Sequence, residues 1–185
     1  AGRKAVQNGF SLSEYIMPGL GGRELSREHA LETARVLDAI DPHFIRLRSL
    51  QIMPGTPLDA MRQRGEFTPL DDDAIVTEIR LLIESLRETT AELTSDHVMN
   101  LLQEVQGRLP GDKDLMLGLI DEYLNRPREE RLLYRLGRRA GSLVSPSQLD
   151  DPKIRQQLER ARKSLEAQEG KDLEAIIEDM GRSRL

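Results

Sequence analysis

Residues 13–58 constrain the fold of this chain more than any other part of its sequence. An apolar run at residues 12–18, bounded by serine and glycine, is typical of a short buried strand. A glycine-rich turn at residues 19–22 follows, and apolar residues then recur at helical spacing as far as Asp41-Pro42. A second apolar run at residues 44–53 completes a strand–helix–strand unit. A short unit of this kind predicts two parallel strands.

The helix of this unit is expected to start at Ser26, a good N-cap residue, with Glu28 in its first turn. Ala30, Ala34 and Leu37 follow at helical spacing and predict its buried side. Two strands alone do not make a stable sheet. We therefore expect that further strands precede this segment or belong to another chain.

The sequence after residue 58 is predicted to be entirely helical. Asp71 or Asp72 is expected to cap one long helix, and Ser95 or Asp96 another that ends at Gly107. A helix is expected from Pro127 to Arg139, and the polar remainder holds two short amphipathic segments. The apolar residues that define these helices are Ile75, Ile79, Leu82 and Leu86; Val98, Leu101, Leu102 and Val105; Leu115, Leu119, Ile120 and Tyr123; Ile154, Leu158, Ala161 and Leu165; and Leu173, Ile176, Ile177 and Met180.

Composition narrows the classes of function. The 185 residues include no cysteine, so this chain alone forms no disulfide, thiolate–metal site or cysteine nucleophile. The formal net charge of −5 makes general binding to nucleic acid unexpected. No apolar run approaches the ~20 residues that span a bilayer, and no secretory leader is present, so we expect a cytoplasmic location. The first residues resemble the end of a helix, which suggests a piece of a longer protein.

The glycine turn has two interpretations. Its backbone N–H groups lie at the start of a helix, where an anion or a polar edge of a ligand can approach closely. Alternatively, the glycines only provide the positive φ angles of a tight connection. The spacing matches neither of the two common phosphate-binding glycine motifs, which favours the second interpretation.

Arg46 and Arg48 share one side of the second predicted strand, opposite Ile45 and Leu47. A buried guanidinium group needs a carboxylate, a phosphate or water as its partner. If both arginines point into a cavity, a ligand carboxylate is a natural partner. The alternative is that they lie on the exposed face of an edge strand.

Two further groups of polar residues are candidate sites. Asp96, His97 and Asn100 lie at a predicted helix start, where His97 could move protons or contact a substrate. The favoured interpretation is that Ser95 and Asp96 cap the helix and that His97 and Asn100 bond to neighbouring backbone. Five arginines follow one face of the helix that starts at Pro127, and they could meet RNA phosphates or pair with the acidic helices of this chain. These arginines are Arg128, Arg131, Arg135, Arg138 and Arg139.

The ordered motifs of residues 15–58 resemble the later strands of the radical S-adenosylmethionine (SAM) superfamily. The similarity is greatest to the branch that includes oxygen-independent coproporphyrinogen oxidase and the tRNA methylthiotransferases. It rests on Gly19-Leu20-Gly21-Gly22 after a strand, Glu32-Thr33 in the helix and Pro54-Gly55-Thr56-Pro57-Leu58 after the second strand. Residues 95–139 resemble the helical C-terminal region of a less characterised subgroup. Gly22 stands where that family often has an acidic residue.

The resemblance implies an α/β, predominantly helical fragment: the C-terminal βαβ portion of a partial (β/α)6 barrel followed by a helical extension. It implies barrel strands five and six within residues 1–60, the helical extension at 61–145 and a polar helical tail at 146–185. The parent enzyme would use SAM and a [4Fe–4S] cluster held by a C-x3-C-x2-C loop, which this chain lacks. The implied contacts to SAM or substrate are Met17, Gly19, Leu20, Gly21, Arg46 and Arg48.

Two functional hypotheses follow. In the first, this chain is a fragment of a radical SAM iron–sulfur oxidoreductase that supplies walls of the SAM and substrate site, lacks the cluster ligands and is inactive alone. Its partner would be the N-terminal half of the barrel, and in isolation it could form a homo-oligomer. In the second, it is a non-enzymatic helical module that binds protein or RNA through the arginine-rich helix.

Overall fold

The structure is a computed structural model, and it describes residues 1–182. The chain divides into two compact units, Ala1–Ile120 and Asp121–Leu185. The boundaries expected near residues 60 and 145 stay predictions, and residues after position 90 join the sheet of the first unit as strands. The last three residues of the predicted tail, 183–185, lie outside the described residues.

The protein is an α/β structure, mostly helical, with a small mixed sheet. The four strands are β1 (Ser13–Ile16), β2 (Phe44–Leu47), β3 (Glu92–Thr94) and β4 (Gly107–Arg108). The helices are α1 (Gly2–Gln7), α2 (Gly22–Ile40), α3 (Pro57–Gln63), α4 (Asp72–Ser85), α5 (Lys113–Leu124), α6 (Arg128–Arg139), α7 (Pro152–Glu169) and α8 (Leu173–Arg182), with a 3-10 turn at Pro146–Asp150.

The sheet confirms the predicted parallel strand pair and extends it. Its order is β1-β2-β3-β4, with β1, β2 and β3 parallel and β4 antiparallel to β3. Tyr15 lies opposite Arg46, which in turn lies opposite Thr94. The expectation that all residues after 58 are helical is therefore wrong, because β3 and β4 complete the sheet within this chain.

The start of α2 corrects the predicted helix cap. The helix begins at Gly22 with Gly21 as its N-cap, so Ser26 lies one turn inside it. Gly22 has a φ of +64°, and a Cβ there would meet the ring of Phe67 and the carbonyl of Thr68. The predicted end is confirmed, since Asp41 caps the helix in the left-handed conformation with a φ of +50°.

Both long helices of the first unit lie on one face of the sheet. The connections β1–α2–β2 and β2–α4–β3 add strands in the same direction, and right-handed crossovers place both helices on the same side. The two helices also pack against each other. The side chains of the sheet that face them are fully buried, as are the apolar positions of the helices. These residues are Ile45, Leu47 and Leu93 in the strands and Ala30, Ala34, Leu37, Val76, Leu82 and Ile83 in the helices.

The opposite face of the sheet carries different side chains, and we call it the open face. It is formed by the alternate residues of the three parallel strands, which are exposed or half-buried: Ser13 and Tyr15, Phe44 and Arg46, and Glu92 and Thr94. Tyr15 is 62% exposed. Parallel sheets are normally covered on both faces. The crossover rule places both α2 and α4 on the other face.

The segment between β3 and β4 is irregular, so the helix predicted from Ser95 to Gly107 is wrong. Leu101, Leu102 and Val105 are nevertheless buried, as their pattern indicated. Apolar spacing reports which side chains face a core but does not distinguish a helix from a buried loop. Here the irregular segment connects strands β3 and β4, which pair with each other.

The second unit is helical, as predicted. Helices α6, α7 and α8 pack against one another in all three pairs. Leu132 and Leu136 of α6 form a buried cluster with Leu173 and Ile177 of α8. The predicted helix at Pro127 is confirmed, with Pro127 as the N-cap of α6. Among residues 1–182, no helix is both long and apolar enough to cross a lipid bilayer.

Candidate functional site: an arginine–aspartate cluster on the open face

The cluster of Arg46, Arg48 and Asp96 stands at the carboxyl ends of strands β2 and β3. Arg46 Nη1 donates to Asp96 Oδ2 over 2.9 Å, and Arg48 Nη1 donates to Asp96 Oδ1 over 2.6 Å. Arg46 belongs to β2, Arg48 follows that strand directly, and Asp96 follows β3 by two residues. Strand alternation therefore places all three on the open face, where the two cations share one carboxylate.

Aromatic rings support both guanidinium groups. The Arg48 guanidinium carbon lies 4.9 Å from the centre of the Tyr15 ring, and that of Arg46 lies 5.8 Å from the centre of the Phe44 ring. Both distances are within the range of a cation–π interaction. Since Tyr15 is on the neighbouring strand β1, all three parallel strands contribute a side chain to the cluster.

The cluster is strongly ionic. The hydrogen bond from Arg48, with the charges of Arg48 and Arg46, holds the pKa of the Asp96 carboxyl below its usual range despite partial burial. The same hydrogen bond and charge raise the pKa of Arg48. Asp96 is therefore ionised at neutral pH, and the three groups together carry a net charge of about +1, from two cations and one anion.

The groups remain accessible from solvent. The exposed fraction is 32% for the Arg46 side chain, 24% for Arg48 and 46% for Asp96. A guanidinium group has five N–H donors. Both Arg46 and Arg48 donate to Asp96, and Arg48 also bonds to the carbonyl of Leu47 and to the side chain of Tyr15. Both arginines therefore have N–H groups that can serve a ligand.

Asn100 holds the strand ends beneath this cluster. Its amide nitrogen donates to the carbonyl of Leu47 over 3.1 Å and to Ser95 Oγ over 3.0 Å, and its oxygen accepts from Ser49 Oγ over 2.8 Å. Asn100 is itself buried. It thus links the end of β2 to the end of β3 and fixes the spacing between the arginines and Asp96.

The glycine turn donates a hydrogen bond to a buried carboxylate, that of Glu78. The N–H of Gly19 donates to Glu78 Oε1 over 2.8 Å, and Ser26 Oγ donates to Glu78 Oε2. His29 Nδ1 lies 2.8 Å from Glu78 Oε1. Burial alone would raise the pKa of Glu78, but the hydrogen bonds from His29, Ser26 and Gly19 more than offset it, so the pKa is lowered. Hydrogen bonds to Glu78 thus hold the turn against α4. Gly19 has a φ of +88°, in agreement with the interpretation that the glycines provide the positive φ angles of a tight connection.

The structure brings together two of the six residues predicted to contact SAM or substrate. Arg46 and Arg48 meet at Asp96, whereas the N–H of Gly19 is bonded to Glu78 and Gly21 caps α2. Met17 and Leu20 lie after β1 and are 40% and 42% exposed.

Sequence reasoning missed the pairing of Asp96 with the arginines, because residues 95–107 were expected to be a helix. A strand assignment for residues 92–94 would have placed Asp96 beside Arg48.

The arginines of α6 are bonded within the second unit. Arg131 donates to the carbonyls of Leu124 and Arg126, and Arg138 donates to the carbonyl of Leu143. Arg135 and Arg139 are buried, at 3% and 9% exposure, and Arg128 pairs with Glu174. The predicted basic stripe is therefore engaged in the packing of this unit.

Within residues 1–182, no group of three or more histidine, cysteine, aspartate or glutamate side chains is arranged to hold a metal ion. A scan against protein-family models finds no match, and searches of curated proteins and of solved structures find no significant match either.

Proposed function

We propose that this chain is the C-terminal part of a radical SAM oxidoreductase and that its open face lines the SAM and substrate cavity of the parent enzyme. The observation that carries the proposal is a set of three parallel strands with helices on one face and an arginine-bearing face on the other. In α/β proteins, ligands bind at the carboxyl ends of the parallel strands. Arg46, Arg48 and Asp96 stand at that end.

The edge of the sheet supports the same proposal. Strand β1 is one of the two edge strands, so one side of its backbone faces away from the sheet. A free strand edge and an exposed sheet face are both unfavourable for parallel strands in water. Earlier strands of a (β/α)6 barrel would pair with β1 and enclose the open face, which satisfies both requirements. The order of the motifs along residues 15–58 is the order of that family.

The residues of this chain suit SAM or an anionic substrate but not the iron–sulfur cluster. A ligand carboxylate fits the free N–H groups of Arg46 and Arg48, and Asp96 can accept from a ligand ammonium. Met17 and Leu20 offer apolar surface at the same end of β1. The chain has no cysteine, so the cluster ligands belong to a preceding segment. Bound SAM would supply the hydrogen-abstracting chemistry.

The alternative module hypothesis has less support. Its binding surface was the arginine face of α6, and those side chains bond to carbonyls and a carboxylate of the second unit. RNA phosphates would have to displace these contacts and extract Arg135 from burial.

The first test is the coding sequence upstream of Ala1. The proposal expects a C-x3-C-x2-C motif there, and its absence would remove the proposed chemistry. The second test uses the full-length protein, reconstituted with iron and sulfide without oxygen, and measures formation of 5′-deoxyadenosine from SAM. Product is expected, and Arg48→Gln should lower its rate, whereas Arg64→Gln should not. Arg64 is a suitable control because it is an exposed arginine in a separate carboxylate pair.

A further inference from the structure

The Arg46–Asp96–Arg48 cluster differs in its ratio of cations to anions from the cluster around Arg126. Glu174 is also shared by two arginines, Arg128 and Arg135, but the Arg135 side chain is only 4% exposed. In the second unit, Arg126 is surrounded by the carboxylates of Glu122, Glu130 and Asp150. That arrangement has more negative than positive charge, and the Arg126 side chain is only 11% exposed. On the open face the ratio is reversed, because two arginines share one carboxylate.

We propose that this cluster is a binding site for the oxyanion group, a carboxylate or a phosphate, of a small-molecule ligand, and that Asp96 is an internal competitor for that group. The proposal deepens the proposed function, on which it rests for its role in catalysis, by naming the chemical class of the ligand group. Binding itself is a property of this chain and needs no iron–sulfur chemistry.

The geometry suits a planar or tetrahedral oxyanion. Arg46 lies in β2 and Arg48 directly follows it, so their Cα atoms are separated by about 7 Å and their side chains project from the same face. Each guanidinium group presents pairs of N–H donors that match the oxygens of a carboxylate or phosphate. The Asp96 carboxylate already bridges the two, with one oxygen on each arginine. A ligand oxyanion of similar size can take the same bridging position.

The internal carboxylate is a weak competitor. Its side chain is 46% exposed, and ion pairs at such sites contribute little net free energy because solvent screens them. Asp96 also lies outside the regular part of β3, in the irregular segment that precedes Asn100. A ligand can therefore displace it, or bind beside it, without unfolding the sheet. The rings of Tyr15 and Phe44 would keep the guanidinium groups in place during the exchange.

The test is an NMR titration of the 185-residue chain with inorganic phosphate and, separately, with malonate, at constant ionic strength. Arginine side-chain Nε–Hε signals of Arg46 and Arg48, assigned by substitution, report binding. Saturable shifts of these two signals are expected. A larger response to one probe identifies the preferred oxyanion, and either response supports the site. Shifts that grow linearly, or that appear equally at Arg64, would contradict it.

Substitutions separate the roles of the three residues. Arg48→Gln should weaken binding by about tenfold or more, the effect of losing a charge-assisted hydrogen bond. Arg46→Gln provides the same test if Arg48→Gln does not fold. Arg48→Lys keeps the charge without the paired donors and should bind more weakly than the wild type. Arg64→Gln is the matched control and should leave the affinity unchanged.

Asp96→Asn tests the competitor role directly. Removing the internal carboxylate should strengthen binding by about threefold to tenfold, because two exposed ion pairs no longer compete with the ligand. Unchanged or weaker binding would overturn the role of Asp96 as a competitor. The absence of an upstream cysteine motif would refute the radical SAM proposal and leave these binding results intact, so the two proposals fail separately.

Discussion

Two carboxylates that lie on opposite sides of the sheet, Glu78 and Asp96, differ in burial and in the donors that bind them. Glu78 lies on the side of α2 and α4, is 4% exposed, and accepts hydrogen bonds from a backbone amide, a serine and a histidine. Asp96 lies on the open face, is 46% exposed and accepts from two arginines. Both have a lowered pKa, Glu78 chiefly through the hydrogen bond from His29 and Asp96 chiefly through that from Arg48.

The difference teaches which polar clusters maintain a fold and which can serve a ligand. Glu78 joins three separate segments, and removing it would leave buried donors without partners, which is costly. Asp96 joins two partly exposed side chains that water can also satisfy. A lowered pKa alone does not distinguish the two situations, whereas burial and the identity of the donors do.

The largest expected effect distinguishes the two faces of β2. Ile45→Ala removes a fully buried side chain facing the helices and should lower the free energy of unfolding by about 2–5 kcal/mol. Arg46→Ala, the adjacent residue on the open face, should lower it by less than about 1 kcal/mol. Urea denaturation followed by circular dichroism measures both. Equal losses would mean that the open face is packed as tightly as the covered one.

The next effect concerns Glu78. Glu78→Gln keeps the shape of the side chain but removes the charge that accepts from Gly19, Ser26 and His29, and should destabilise the protein by about 1–3 kcal/mol. Glu84→Gln is the matched control, because Glu84 is an exposed residue of the same helix. Its effect should stay within about 0.5 kcal/mol. If Glu78→Gln leaves the free energy of unfolding unchanged, the structural role of this carboxylate is refuted.

The pH dependence of unfolding tests whether the ionised form of Glu78 provides this stabilisation. The folded pKa of Glu78 lies below its ordinary value of 4.5, so the folded state binds this proton less readily than the unfolded state. The stabilisation is complete above about pH 4.5 and is lost as the pH falls through the folded pKa. The difference in unfolding free energy between wild type and Glu78→Gln should therefore shrink on acidification. A difference that is constant from pH 7 to pH 3 would exclude an ionised Glu78 as its source.

The smallest expected effect is that of Asp96→Asn on stability. Its two ion pairs are exposed, so the free energy of unfolding should change by less than about 1 kcal/mol. The same denaturation experiment measures it. A loss as large as that of Glu78→Gln would erase the contrast between the two carboxylates and assign Asp96 to the maintenance of the fold.

Sequence patterns predicted the first half of the sheet well. The alternation through Phe44–Leu47 correctly placed Arg46 and Arg48 on one side and Ile45 and Leu47 on the other, because strand geometry fixes this period of two. The Asp41-Pro42 break, the parallel strand pair and the helices α6 and α8 were also predicted. Apart from the strand pairing, which the strand–helix–strand order implies, these features depend on neighbours within a few residues, which the sequence displays directly.

The partners of the polar residues were not predictable in this way. Ser26 was expected to cap α2 and instead bonds to Glu78, 52 residues further along the chain. Glu78 lies in the apolar stripe of α4 between Ile75 and Leu82, and that position was the one signal that could have indicated a buried carboxylate. Asp96 was expected to cap the start of a helix, whereas it follows strand β3.

The sequence by itself indicated the strand–helix–strand elements of residues 13–58 and the face of the strand on which the arginines lie, because helical and strand periodicities are short-range properties. Only the tertiary structure shows that Asp96 accepts hydrogen bonds from both arginines and that Glu78 accepts one from the glycine turn. Such contacts join residues about 50 positions apart, and their formation depends on how the strands align in space.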